Sequence, residues 1–227
     1  MGEIISPIEN KKRGTMALSQ VDVCNLALSR MGGHSIAQIT SLGEASTEAR
    51  QCAIKFPYVL KSALRAYPWH FATKEIALAL LGAGAAESMF KDNILYQSLL
   101  YYQYPEECMQ ILAINPVMGR KGNYYTESFD YTVERISDGT KVIVTSCPKA
   151  ILTCTSYADD PGIWDSLFTD AFAWQLASEL SLSLGGASGL VQSLQEMASR
   201  AFEKAKSADC KEGSLAARKS WYLEARR

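Results

Sequence analysis

The chain has 227 residues, 48% of them hydrophobic, and 23 Lys and Arg against 24 Asp and Glu leave a formal net charge of −1. That size can bury a core in one domain or two small ones, and near-neutrality excludes a surface that grips nucleic acid all over, because phosphate binding needs clustered cations. The longest apolar run, residues 76–86, is interrupted by glycine and far short of the ~20 residues a membrane span requires, so no membrane partner is expected.

In chain order, residues 1–17 read as a flexible arm carrying Pro7, Gly14 and the Lys11, Lys12, Arg13 cluster. They lack the apolar stretch of a signal peptide, which predicts a protein assembled in a cytoplasm with reduced thiols. Ser19 with Asp22 three residues on is a helix-start signal related to the capping box. Val23, Leu26, Ala27 and Met31 follow at helical spacing, and Gly32 and Gly33 stop the helix. Ser41 with Glu44 predicts a second start, after which Ala49, Cys52, Ala53, Phe56, Leu60, Ala63, Leu64 and Tyr67 mark one buried face. Pro68 ends that helix, and Trp69 and Phe71 cover its exit. Residues 73–87 read as a strand or short helix entering a loop of small residues.

From about residue 95 the pattern turns to β-branched and aromatic runs separated by Asn115-Pro116, Gly122-Asn123 and Ser137-Asp138-Gly139. The Asp138-Gly139 pair between apolar runs predicts a hairpin. Asp159, Asp160 and Pro161 then announce a helix with Phe168, Phe172, Leu176, Leu180 and Leu184 at four-residue spacing. Gly185-Gly186 breaks it, and a last helix from about Ser188 carries Val191, Leu194, Ala198, Ala201, Phe202 and Ala205 on one face. The tail, residues 211–227, holds five cations against two anions, a local net charge of +3.

The layout is α+β. An arm (1–17) precedes a helical hairpin and connector (18–94), an antiparallel β domain (95–158), a C-terminal helix pair (159–210) and a docking tail (211–227). The N- and C-terminal helix pairs are expected to close as one bundle, with the small β domain inserted and the termini extended.

Residues 24–72 carry an ordered pattern: Cys24, Asn25, Leu26, Ala27, Leu28, Arg30 and Gly32, then Ile39, Ser41, Leu42, Glu44, Ser46, Glu48, Ala49 and Cys52, then Leu64, Pro68, Trp69, Phe71 and Ala72. It resembles the opening of the tail tubular protein A family of tailed phages, the head-to-tail adaptors also called gatekeeper or head-completion proteins. The match is densest in the first third of the chain. The resemblance implies a non-enzymatic virion protein at the head-to-tail junction. Its copies, twelve if the family is followed, would form a ring that binds the portal with its helical part and the tail nozzle with its β part. Packaged DNA would pass through the channel and touch it in passing.

Chemistry is hard to place elsewhere. A general base needs a positioned partner, and the two histidines, His34 and His70, follow a Gly-Gly break and sit between aromatics respectively. No CxxC, HExxH, phosphate-binding GxxxxGK[ST] or G-x-S-x-G motif occurs, and Gly82-Ala83-Gly84 lacks a third glycine. The six cysteines lie mostly in apolar runs, and Glu106-Glu107 and Asp159-Asp160 read as a strand edge and a helix cap. No catalytic, cofactor or metal residue is expected.

Binding is placed in two segments. In the tail, Trp221, Tyr222 and Leu223 stand among Arg218, Lys219, Arg226 and Arg227, aromatics flanked by cations that suit an interface ordered on binding. A solubilising tail, or a last helix packed on its own bundle, is the plainer reading. The loop with Arg120, Lys121, Tyr124 and Tyr125 lies between β runs, where an exposed tip suits a partner. Under the resemblance, the first contacts the portal and the second the nozzle. The rivals are a DNA-binding regulator reading through the helical hairpin, whose second helix mixes Arg50, Lys55, Lys61 and Arg65 with Glu44 and Glu48, and a small enzyme.

Overall fold

A computed structural model describes residues 18–32, 38–81, 99–116 and 129–212. Among these, the chain is mixed α+β, with helices α1 (Gln20–Arg30), α2 (Thr47–Ala66), α3 (Ser166–Ser183) and α4 (Ser188–Glu212). The strands are β1 (Thr73–Ala77), β2 (Leu100–Gln103), β3 (Cys108–Pro116), β4 (Tyr131–Arg135), β5 (Lys141–Thr145) and β6 (Ala150–Ser156). They form two antiparallel three-stranded sheets, β1-β6-β3 and β2-β5-β4.

α1 begins with a full capping box. The Ser19 hydroxyl accepts from the Asp22 N–H (3.2 Å) and the Asp22 carboxylate from the Ser19 N–H (2.9 Å). The helix ends where Gly32 takes φ +71°, a conformation cheap only for glycine. Its buried face is Val23, Cys24, Ala27, Leu28 and Met31, while Leu26, expected inside, is exposed. α2 starts later than its sequence signal. Ser46, not Ser41, caps it, accepting from the Ala49 N–H. The Ser41–Glu44 pair instead closes a separate turn: the Glu44 carboxylate accepts from the N–H and hydroxyl of Thr40, both at 3.0 Å. Ala53, also expected inside, is exposed. That exposure explains how Pro57 is tolerated within α2, because the Ala53 carbonyl it leaves without a helical donor belongs to the solvent side.

Tyr67 precedes Pro68 and is extended (φ −157°, ψ 145°), as a residue before proline prefers. The turn brings Trp69 back under α2, where its indole N–H donates to the Ala63 carbonyl (3.0 Å), one of the carbonyls a helix end leaves unpaired. The expected start at residues 159–161 is a 3-10 turn, Pro161–Ile163, capped by Asp160. Asp165 caps α3 itself, accepting from the Leu167 N–H (2.8 Å) and, more weakly, from that of Phe168 (3.4 Å).

α3 packs against α1, α2 and α4 and is buried on nearly every side, which explains an apolar content wider than one stripe. One hydrophobic cluster draws residues from all four helices and includes Trp69 and Trp164. Rings of Phe56, Trp69, Trp164, Phe168 and Phe172 meet in it at centroid distances of 4.9–6.1 Å, within the range for favourable aromatic pairs.

The segment read as strand or short helix is strand β1. It pairs with β6, so the first sheet takes a strand from before residue 95, where the β domain was expected to begin. The chain then passes to the second sheet, where Leu80 bridges Tyr102. The Asp138-Gly139 hairpin joins β4 to β5, with Gly139 at φ +86°. A smaller core of Tyr102, Cys108, Ile114, Ile143, Leu152 and Cys154 lies in this β part, and the Ser156 hydroxyl donates to the Ala72 carbonyl (3.1 Å), linking β6 to the exit of α2.

Candidate assembly surface

Most polar residues of the family-like pattern are occupied inside the helical hairpin. The Asn25 amide grips Ile39 from both sides, donating to its carbonyl (2.9 Å) and accepting its N–H (2.8 Å), and so pins the loop between α1 and α2. Arg30 donates to the carbonyl and carboxylate of Asp170 and lies over the Trp174 ring at 4.2 Å, joining α1 to α3. Ser46 and Glu44 shape the entry to α2, and Trp69 its exit. Cys24 and Cys52 are both fully buried. Hydrogen bonding to the Cys52 thiol, with burial, pushes the Cys24 thiol upward. These residues form a scaffold rather than an open site.

The titratable groups point the same way. His70 Nδ1 lies 2.7 Å from the buried Asp209 carboxylate, which also accepts the His70 backbone N–H (3.2 Å). The carboxylate therefore clamps the turn after Trp69 onto α4. All six cysteines are free and five are buried, Cys210 being exposed. Burial raises the Cys147 thiol, and burial with the neighbouring Cys108 pushes that of Cys154 up to about 12. Such thiols stay protonated and unreactive at neutral pH. Of the paired acids, Glu107 meets Lys74 at 3.1 Å and Asp160 caps its turn. Among the described residues no group of His, Cys, Asp and Glu is placed to hold a metal ion, and no helix is long and apolar enough to cross a membrane.

Among the described residues, one open surface runs along α2, α3 and α4. A groove of about 360 Å³ runs between them, with Tyr58 and Ala66 on α2, Gln175 and Glu179 on its floor, and Phe202 and Glu203 on α4. Tyr58 is 69% exposed, and Ile54, one turn earlier on α2, and Leu182, three residues past Glu179 on α3, are each 59% exposed. Lys55 on α2 meets Glu179 on α3 at 3.4 Å, and along α4 Lys206 meets Glu203 three residues earlier at 2.9 Å. The cations of α2 are thus dispersed: Lys55 is paired and Lys61 lies over the Tyr157 ring.

The groove lies outside the two segments where the sequence places binding. A signal for it was present, because Ile54 and Tyr58 are large apolar residues four apart that fall off the buried stripe of α2. The residues that the sequence assigns to interfaces, Arg218, Lys219, Trp221, Tyr222, Leu223, Arg226 and Arg227 in the tail and Arg120, Lys121, Tyr124 and Tyr125 in the loop, lie outside the described residues. So do His34, Gly82-Ala83-Gly84 and the N-terminal arm. No model of a known protein family matches the chain, and no curated protein is significantly similar to it.

Proposed function

We propose that the chain is a structural head-to-tail adaptor of a tailed bacteriophage. Copies form a ring that joins the portal to the tail nozzle around the DNA channel. The four helices act as a bundle in the ring wall, against neighbouring copies and the portal, and the β part projects toward the nozzle. The tail residues Arg218, Lys219, Trp221, Tyr222, Leu223, Arg226 and Arg227 anchor the portal contact, and Arg120, Lys121, Tyr124 and Tyr125 the nozzle contact.

The observation that carries this reading is the use to which the family-like residues are put. Asn25, Arg30, Ser46 and Trp69 each hold one helix or loop of the hairpin in place. A pattern spent on internal geometry characterises a scaffold whose function is shape. The exposed Ile54, Tyr58 and Leu182 side chains give such a scaffold apolar surface to bury against a neighbour.

The test is co-sedimentation of the purified chain with portal rings from the genome that encodes it. Binding is expected, with binding lost on deletion of residues 214–227. A chain that stays in the supernatant at micromolar concentration overturns the adaptor reading, and unchanged binding by the deletion overturns the tail's assignment alone.

A further inference from the structure

The groove between α2 and α4 has apolar walls, and fifteen residues of sequence follow the end of α4. The walls are apolar at Tyr58, Ala66 and Phe202, and the groove's two carboxylates, Glu179 and Glu203, are paired with Lys55 and Lys206. At about 360 Å³ it falls within the ~300–1,000 Å³ typical of sites that hold a ligand group. Among the described residues nothing fills it. On α4 the lining ends at Lys206, six residues before the last helical residue, Glu212, which at 1.5 Å per residue is about 9 Å along the axis.

Fifteen residues follow Glu212 in the sequence, 213–227, and they contain Trp221, Tyr222 and Leu223 with four cations against Glu224. Trp221 is nine residues past Glu212, so an extended chain at ~3.3 Å per residue can carry it about 30 Å. That is ample to turn back past the helix end and reach Phe202. The segment's three consecutive apolar residues match the apolar walls at Tyr58, Ala66 and Phe202. The two glycine and serine residues that open the segment, Gly213 and Ser214, permit the reversal.

We propose that the C-terminal segment, residues 213–227, folds back on its own subunit and seats Trp221, Tyr222 and Leu223 in the groove between α2 and α4. The inference does not depend on the adaptor reading. If a portal also takes this segment, the groove is where it is held beforehand.

The experiment replaces Trp221 with the photo-cross-linking residue benzoylphenylalanine in the full-length chain and maps the cross-links by mass spectrometry. Amide hydrogen exchange is measured alongside on the full-length chain and on the full-length triple variant Trp221→Ala, Tyr222→Ala, Leu223→Ala. Cross-links within one chain to residues 58–66 or 199–206 are expected, with exchange in those stretches at least threefold faster in the triple variant. Ser62→Lys with Ala66→Lys, both exposed positions that leave the core untouched, is expected to abolish the cross-link and reproduce the faster exchange. Cross-links between two chains would assign the groove to the tail of a second copy and overturn the fold-back. Cross-links elsewhere, or equal exchange in both chains, would overturn the occupancy altogether.

Discussion

Asn25 is half-buried, and its amide is the partner of both backbone groups of the buried Ile39. Removing it strands a buried N–H and a buried carbonyl, each costing about 1–3 kcal/mol when unpaired. Asn25→Ala is therefore expected to lower unfolding free energy by about 2 kcal/mol or more in urea titration, whereas a surface change such as Ser29→Ala stays within about 0.5 kcal/mol. Equal midpoints for the two variants would contradict the role given to the amide. Trp69 makes the larger case, because one side chain both fills the aromatic cluster and caps α2. Trp69→Ala should cost about 3–5 kcal/mol, and Trp69→Phe should recover most of the packing but not the bond to Ala63. The Asn25–Ile39 pair could not be read from the sequence, since its partners are fourteen residues apart and only the loop's path brings them together. The exposure of Leu26, expected inside, while Leu28 is buried has a similar origin. Both fit a helical stripe, and only the position of α3 decides which faces inward.

At the scale of elements, helix ends that depend on neighbours three residues apart were legible, and those depending on tertiary placement were not. Ser19 and Asp22 satisfy each other locally, so the start of α1 is visible in the sequence. Ser41 and Glu44 have the same spacing but close a free turn, and Ser46 captures the helix. The same local bonds set an acid limit. Asp22, Glu44 and Asp138 are held below their ordinary values by hydrogen bonds from Ser19, Thr40 and Thr140 respectively. A carboxyl whose folded value is depressed contributes stability that is full above the unfolded value, 3.8 for Asp and 4.5 for Glu, and is lost as pH falls through the folded one. The melting temperature should accordingly fall below about pH 4.5, and Asp22→Asn should flatten part of that acid limb. Superimposable acid limbs would count against the capping box as a stabilising device. The α3–α4 turn gives a steric test. A Cβ on Gly186 would stand 3.0 Å from the Ser181 carbonyl and closer still to its hydroxyl, while one on Gly189 meets nothing within 4 Å. Gly186→Ala should destabilise by about 1–3 kcal/mol, and Gly189→Ala, in the first turn of α4, should stabilise by about 0.5–1 kcal/mol. Changes of the same sign in thermal unfolding would refute this account of the turn.

For the whole molecule, the α+β class followed from two periodicities, helical at both ends of the chain and β-like between. The two-sheet arrangement did not follow. It needs β1 to leave the connector after Trp69 and pair with β6 some eighty residues later, a contact no local pattern encodes. The groove along α2 was half legible, in the spacing of Ile54 and Tyr58, but its other wall comes from α4 and appears only on folding. On the proposed reading, this scaffold buries its exposed apolar side chains between like copies in a ring. Electron microscopy of the chain mixed with portal rings tests it most directly. The account predicts class averages with a second, coaxial ring of density continuous with the portal's narrow end and an open channel through both. Portal rings that remain bare, with the chain as scattered monomers, would contradict it.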